Sequence, residues 1–145
     1  MSLVEYITHS ADETISLGRE LALTLKDLRM VILHGDLGVG KTTLVKGIAE
    51  GLNAATQDEV TSPTFTLIHE YRGPDVTLYH VDLYRIETQR ELDTLGLDEL
   101  FADDGNLVLI EWGEKLPRLL AECDAEIRIE RVGESERRIS VVGAS

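Results

Sequence analysis

Gly35-Asp36-Leu37-Gly38-Val39-Gly40-Lys41-Thr42 places three glycines ahead of a lysine and a hydroxyl, with Thr43 next. The spacing is that of a phosphate-binding loop in full. Glycine accepts backbone angles that other residues resist, so successive N–H groups can turn inward as an anion nest. A helix opening at Lys41 would add free N–H groups and the positive end of its dipole. Lys41 supplies a point charge for the β- and γ-phosphates and is expected to aim at phosphate rather than into the core. The Thr42 hydroxyl stands where a ligand to Mg²⁺ is needed. Gly35 through Thr43 are therefore the candidate ATP-binding residues.

Such a loop also needs an acid at the end of a neighbouring strand. Two apolar runs end in one: Val76–Val81 in Asp82, and Leu107–Ile110 in Glu111. The second run is the more uniformly apolar, as a strand beside the loop-bearing strand should be. Glu111 is favoured as the metal-side acid, and Asp82 as the group that positions or activates the attacking water. Guanine recognition usually requires Asn-Lys-x-Asp, which the chain lacks. Asp93-Thr94-Leu95-Gly96 does spell D-x-x-G, but it lies in the helical stretch Thr88–Leu95 and reads as a helix with a glycine C-cap. The nucleotide is therefore expected to be ATP.

The elements that must position these groups follow from periodicity. Ser10 and Glu13 have capping-box spacing, and Leu17, Leu21, Leu25 and Leu28 continue a helical stripe. Arg29–His34 is a short apolar run that stops at the glycine loop. Leu44, Val45, Ile48, Ala49 and Leu52 give the apolar face of a second helix. Thr66–Tyr71 and Val76–Val81 flank Gly73-Pro74 and predict a hairpin. Leu107–Ile110 predicts a strand buried on both faces. Ala125–Arg131 and Arg137–Val142, turned at Gly133, predict a closing antiparallel pair. The expected fold is α/β: a three-layer P-loop NTPase-like domain with a mixed, partly antiparallel sheet flanked by helices.

The 145 residues suit a single domain, 1–145, with one core. Net charge is −13, which repels phosphate backbones, so neither DNA nor RNA is expected to bind the lone chain strongly. The one cysteine, Cys123, has no partner for a disulfide, so a reducing cytoplasm is expected. The start of the chain lacks the basic and apolar regions of a signal peptide, and no apolar run reaches membrane-spanning length. No membrane association is expected.

Taken together, four blocks resemble one family. Gly-Asp-Leu-Gly-x-Gly-Lys-Thr-Thr at Gly35–Thr43, Ser-Pro-Thr-Phe-Thr-Leu at Ser62–Leu67, His-Val-Asp-Leu-Tyr-Arg at His80–Arg85 and Ile-Glu-Trp at Ile110–Trp112 are similar to those of the TsaE (YjeE) family. The order and spacing run from about Ser10 to Ile139. The resemblance implies a bacterial Mg²⁺-dependent ATPase required for threonylcarbamoyladenosine modification of tRNAs reading codons that begin with A. It implies that TsaD-like and TsaB-like partners carry out the transfer, with tRNA met only through that complex. By the same resemblance Lys41 and Thr42 contact phosphate and Mg²⁺, Glu111 is the metal-side acid, and Asp82 and Trp112 are needed for activity. Ser62-Pro63-Thr64 looks like a switch segment, with Thr64 as the sensor of the γ-phosphate.

Physical readings leave some positions open. Ser62–Thr64 suits a plain turn as well as a mobile loop. Trp112 suits core packing or a partner surface. His34 and His80 read as packed polar residues, and Arg85 as a phosphate contact or an ion pair with Glu87 or Glu91. Residues near Ser10 and Ser135 are candidates to flank the base, without a motif. A small-molecule kinase, with Ile86–Leu95 as lid, and a nucleotide-gated binding module are the competing functions.

Overall fold

The computed structural model describes residues 3–36, 38–63 and 67–143. In chain order these form β1 (Leu3–Thr8), α1 (Ala11–Leu25), β2 (Met30–His34), α2 (Lys41–Gly51), β3 (Ile68–Arg72), β4 (Thr77–Asp82), α3 (Gln89–Asp93), α4 (Leu97–Phe101), β5 (Asn106–Glu111), α5 (Pro117–Glu122), β6 (Ala125–Arg131) and β7 (Arg137–Val142). The strands form one sheet in the order β1-β7-β6-β2-β5-β4-β3. Its four inner strands, β6, β2, β5 and β4, run parallel. Antiparallel pairing adds β3 on one side and β7 then β1 on the other.

Two apolar layers explain why β2 and β5 read as unbroken hydrophobic runs. Val31, Leu33, Leu107 and Leu109 face a core built with α1 and α2 through Leu21, Leu44 and Ile48. Met30, Ile32, Val108 and Ile110 face a second core that Leu92, Leu97 and Leu119 cover from α3, α4 and α5, with Leu116 just ahead of α5. A strand buried on both faces has no place for alternating polar residues. The result is the three-layer α/β arrangement expected.

The helix that carries the loop is held against α1 at very short range. A Cβ at Gly18 would stand 2.5 Å from the Leu44 carbonyl oxygen, and one at Gly47 would run into that of Ile15. Ser10 caps α1 as its spacing predicts, its Oγ accepting the Glu13 N–H at 3.1 Å.

Several boundaries differ from expectation. α1 stops at Leu25, so Leu28 belongs to the turn into β2, although it still packs against the first core. β1 was not anticipated: it is an edge strand with Leu3, Val4 and Ile7 exposed, so burial imposes no clean alternation on it. The first hairpin strand begins at Ile68 rather than Thr66, which lies outside the described residues. Thr94 closes α3, whereas Gly96, at φ +70°, opens α4 instead of capping the preceding helix. Asp93–Gly96 therefore runs from the end of α3 to the start of α4 rather than from a strand end. No helix among the described residues is long and apolar enough to cross a membrane.

Candidate functional site

β2 ends at His34, and the chain passes through Gly38 at φ +76° and Gly40 at φ +114° before α2 begins. Those angles belong to the left-handed region that glycine enters without cost. A Cβ at either position would meet nothing within 4 Å, so the backbone here borders open space. No described side chain caps α2, which leaves the N–H groups of its first turn directed toward that space. Arg137, arriving from β7, fixes the loop by donating from Nε to the Val39 carbonyl at 2.7 Å. The Val39 side chain is buried in the first core.

A cavity of about 320 Å³ at the mouth of α2 gathers Gly38, Gly40, Lys41, Thr42, Thr43, Ser62, Asp82 and Glu111. The two acids come together because β4 and β5 are parallel neighbours in a register that sets Asp82 opposite Glu111. Both are buried, at 3% and 4% exposure. Asp82 Oδ1 accepts the Tyr84 N–H at 2.8 Å. Glu111 is gripped at both oxygens: Oε1 lies 3.3 Å from Lys41 Nζ, and Oε2 is hydrogen-bonded to His80 Nε2. Burial pushes the Glu111 carboxyl up, but the His80 hydrogen bond and the nearby Lys41 charge outweigh it and hold the group below its ordinary value.

The Lys41 side chain lines this cavity and is only 6% exposed. Nζ donates to the Gly35 carbonyl at 2.6 Å and lies 4.7 Å from the centre of the Trp112 ring. Trp112 is half-buried, its ring tilted at 59° to that of Tyr84 with centroids 5.2 Å apart, and held at φ +65°, an uncommon angle for a bulky residue. It lines a cavity of about 570 Å³ with His34, Asp36, Gly38, Glu114 and Arg128, and it meets the phosphate cavity through its contact with Lys41. Leu37 and Thr64 lie outside the described residues.

Sequence reading missed one contributor, Arg137, and undervalued two, His34 and His80, that it read as packed polar residues. Arg137 carries no motif, and its contact depends on β7 returning beside the loop. His34 joins Glu126, 2.7 Å from Nε2, to Glu114, 3.3 Å from Nδ1, at the base of the loop. The Glu114 hydrogen bond raises the His34 pKa, with Glu126 adding to it against the effect of burial. His80 is packed, as expected, but packed onto Glu111; its presence two residues before Asp82 was the available signal. A third cavity, about 300 Å³, is lined by His9, Ser10, Thr14, Gly40, Thr43, Glu134, Ser135 and Arg137, so the structure brings the neighbourhoods of Ser10 and Ser135 together beside the loop. Cys123 is half-buried, and burial pushes its thiol up, away from a reactive thiolate.

The donor set suits Mg²⁺ carried with nucleotide phosphate. The Thr42 hydroxyl and the two carboxylates are hard oxygen donors of the kind Mg²⁺ takes, too few by themselves to complete an octahedron. Among the described residues no three His, Cys, Asp or Glu gather closely enough to hold a metal by themselves.

Residues 8–139 match the family model described as "Threonylcarbamoyl adenosine biosynthesis protein TsaE". The chain belongs to the TsaE family. Relatives bearing the name tRNA threonylcarbamoyladenosine biosynthesis protein TsaE include one from Bacillus subtilis, 40% identical and covering 97% of this chain and 85% of its own. Another, from Treponema pallidum, is 37% identical over 93% of this chain and 97% of its own. The crystal structure of YdiB from Bacillus subtilis superposes with a TM-score of 0.76 at 34% identity, covering 99% of this chain and 87% of that one.

Proposed function

We propose that this TsaE-family chain binds Mg·ATP in the 320 Å³ cavity and hydrolyses it in support of tRNA threonylcarbamoyladenosine formation. One arrangement carries the reading: Lys41, Thr42, Asp82 and Glu111 meet at the uncapped N-terminus of α2. In this reading the first-turn N–H groups and Lys41 bind the phosphates, while Thr42 and Glu111 hold Mg²⁺. The metal, when bound, neutralises charge on the phosphate oxygens. Asp82, its Oδ1 oriented by the Tyr84 N–H, positions the attacking water. Ser62 reaches the same cavity, and Thr64 senses the γ-phosphate from the same segment. The base occupies the 300 Å³ cavity, which shares Gly40 and Thr43 with the phosphate cavity.

The names of the relatives support the place of this activity in tRNA modification. The charge of −13 favours action on a protein complex rather than on RNA. TsaD-like and TsaB-like proteins are the proposed partners, the complex gripping tRNA and the cytoplasm its location. A partner that orders the Ser62 segment would add transition-state contacts, so hydrolysis is slow alone and rises when the pair is added. Phosphate release measured across a titration of the pair, beside filter binding of labelled tRNA, tests this. A rate indifferent to the pair, or tight tRNA binding by the lone chain, refutes the coupling. Phosphate appearing on a metabolite indicates a kinase, and tight ATP binding with almost no release indicates a gated module.

A further inference from the structure

His80 is fully buried, at 0% exposure, in the middle of β4. A polar ring there is costly unless it is bonded, and its one described bond is to Glu111 Oε2. Nδ1 has no hydrogen-bond partner among the described residues. A carboxylate oxygen only accepts, so Nε2 is the donor of the bond to Glu111. Strand alternation sets His80 and Asp82 on the same face of β4, with Glu111 beside them on β5.

We infer that His80 is the positioning residue for Glu111, fixing which carboxylate oxygen faces the cavity. The inference rests on the Mg·nucleotide reading of the site. Lys41 and His80 hold opposite oxygens of the same carboxylate. Lys41 is also the phosphate-binding cation, so phosphate in the cavity competes with Glu111 for its ammonium. The His80 bond does not face that competition, because the ring is fully buried and does not line the cavity. Glu111 thus keeps its rotamer when its partnership with Lys41 weakens, and Oε1 remains directed at the metal position. Partners that orient a ligand in this way are worth about tenfold or more in metal affinity.

The test compares His80→Gln, whose side-chain amide reaches the position of Nε2, with His80→Asn, whose shorter amide does not. Calorimetry follows Mg²⁺ binding to protein saturated with ADP, and ADP binding in EDTA. The Gln variant should bind Mg²⁺ within about threefold of wild type, and the Asn variant about tenfold or more weakly. Both should bind ADP in EDTA as wild type does. In a Glu111→Gln background, His80→Asn should change Mg²⁺ affinity no further. Parallel loss of ADP and Mg²⁺ affinity, or an undiminished effect in the Glu111→Gln background, overturns the inference. A folded Gln variant that loses Mg²⁺ affinity overturns it alone, even if the Asn variant does not fold. If wild type takes up Mg²⁺ no better with ADP than without, the nucleotide reading falls instead.

Discussion

Replacing Lys41 should destabilise the fold as well as abolish phosphate binding. The Lys41 and Glu111 side chains are 6% and 5% exposed, with Nζ and Oε1 3.3 Å apart. Lys41→Met leaves a buried carboxylate with His80 as its remaining described partner, and it removes the bond to the Gly35 carbonyl. Breaking a buried pair from one side costs about 3–5 kcal/mol. The surviving His80 bond places the expectation at the lower end, roughly 3–4 kcal/mol. For a chain of this size that lowers the melting temperature by roughly 6–16 °C. Adding Glu111→Gln removes the stranded charge, so the double variant should regain about 2 kcal/mol relative to Lys41→Met. Nucleotide binding should not return with it. Urea unfolding of wild type, both single variants and the double variant, without nucleotide and at matched m-values, measures the cycle. Lys41→Met as stable as wild type, or a double variant no more stable than Lys41→Met, would refute the buried-pair argument.

The two acids should separate by function. Glu111→Gln should lose the Mg²⁺ dependence of nucleotide binding, whereas Asp82→Asn should bind Mg·ATP and fail to release phosphate; calorimetry and phosphate-release assays would show the reverse pattern if the roles are exchanged. The raised pKa of His34 makes its bridge between Glu114 and Glu126 a stabilising contact that is fully present below pH about 6.5. That contribution is lost as pH rises through the higher folded-state value. The melting-temperature gap between wild type and His34→Gln should therefore be widest near pH 6 and narrow toward pH 9, and a pH-independent gap counts against the bridge. Gly47→Ala gains about 1 kcal/mol of helix propensity, but its Cβ would collide with the Ile15 carbonyl. Overpacking of about 1–3 kcal/mol, at the upper end because backbone cannot rotate aside, should make the variant less stable in urea.

The phosphate-binding loop was legible in the sequence because its chemistry is local. Glycines, lysine and hydroxyl act through backbone angles and a helix start that span nine consecutive residues, Gly35–Thr43. The buried strands β2 and β5 were legible for a related reason, since burial on both faces leaves an apolar run with no gaps. Their terminal acid, Glu111, came with them. Edge strand β1 was not, because exposure on one side removes the pattern that burial would impose. The site as a whole depends on separations no local rule encodes. Asp82 and Glu111 meet through parallel register across an intervening pair of short helices, and His80 reaches Glu111 from the same strand as Asp82. Arg137 reaches Val39 because β7 returns on the far side of β6. That Lys41 lies in a buried ion pair rather than free in the cavity is likewise a tertiary fact: the type and position of the residue declare a phosphate ligand, but its resting partners are set by which strands the sheet brings beside it.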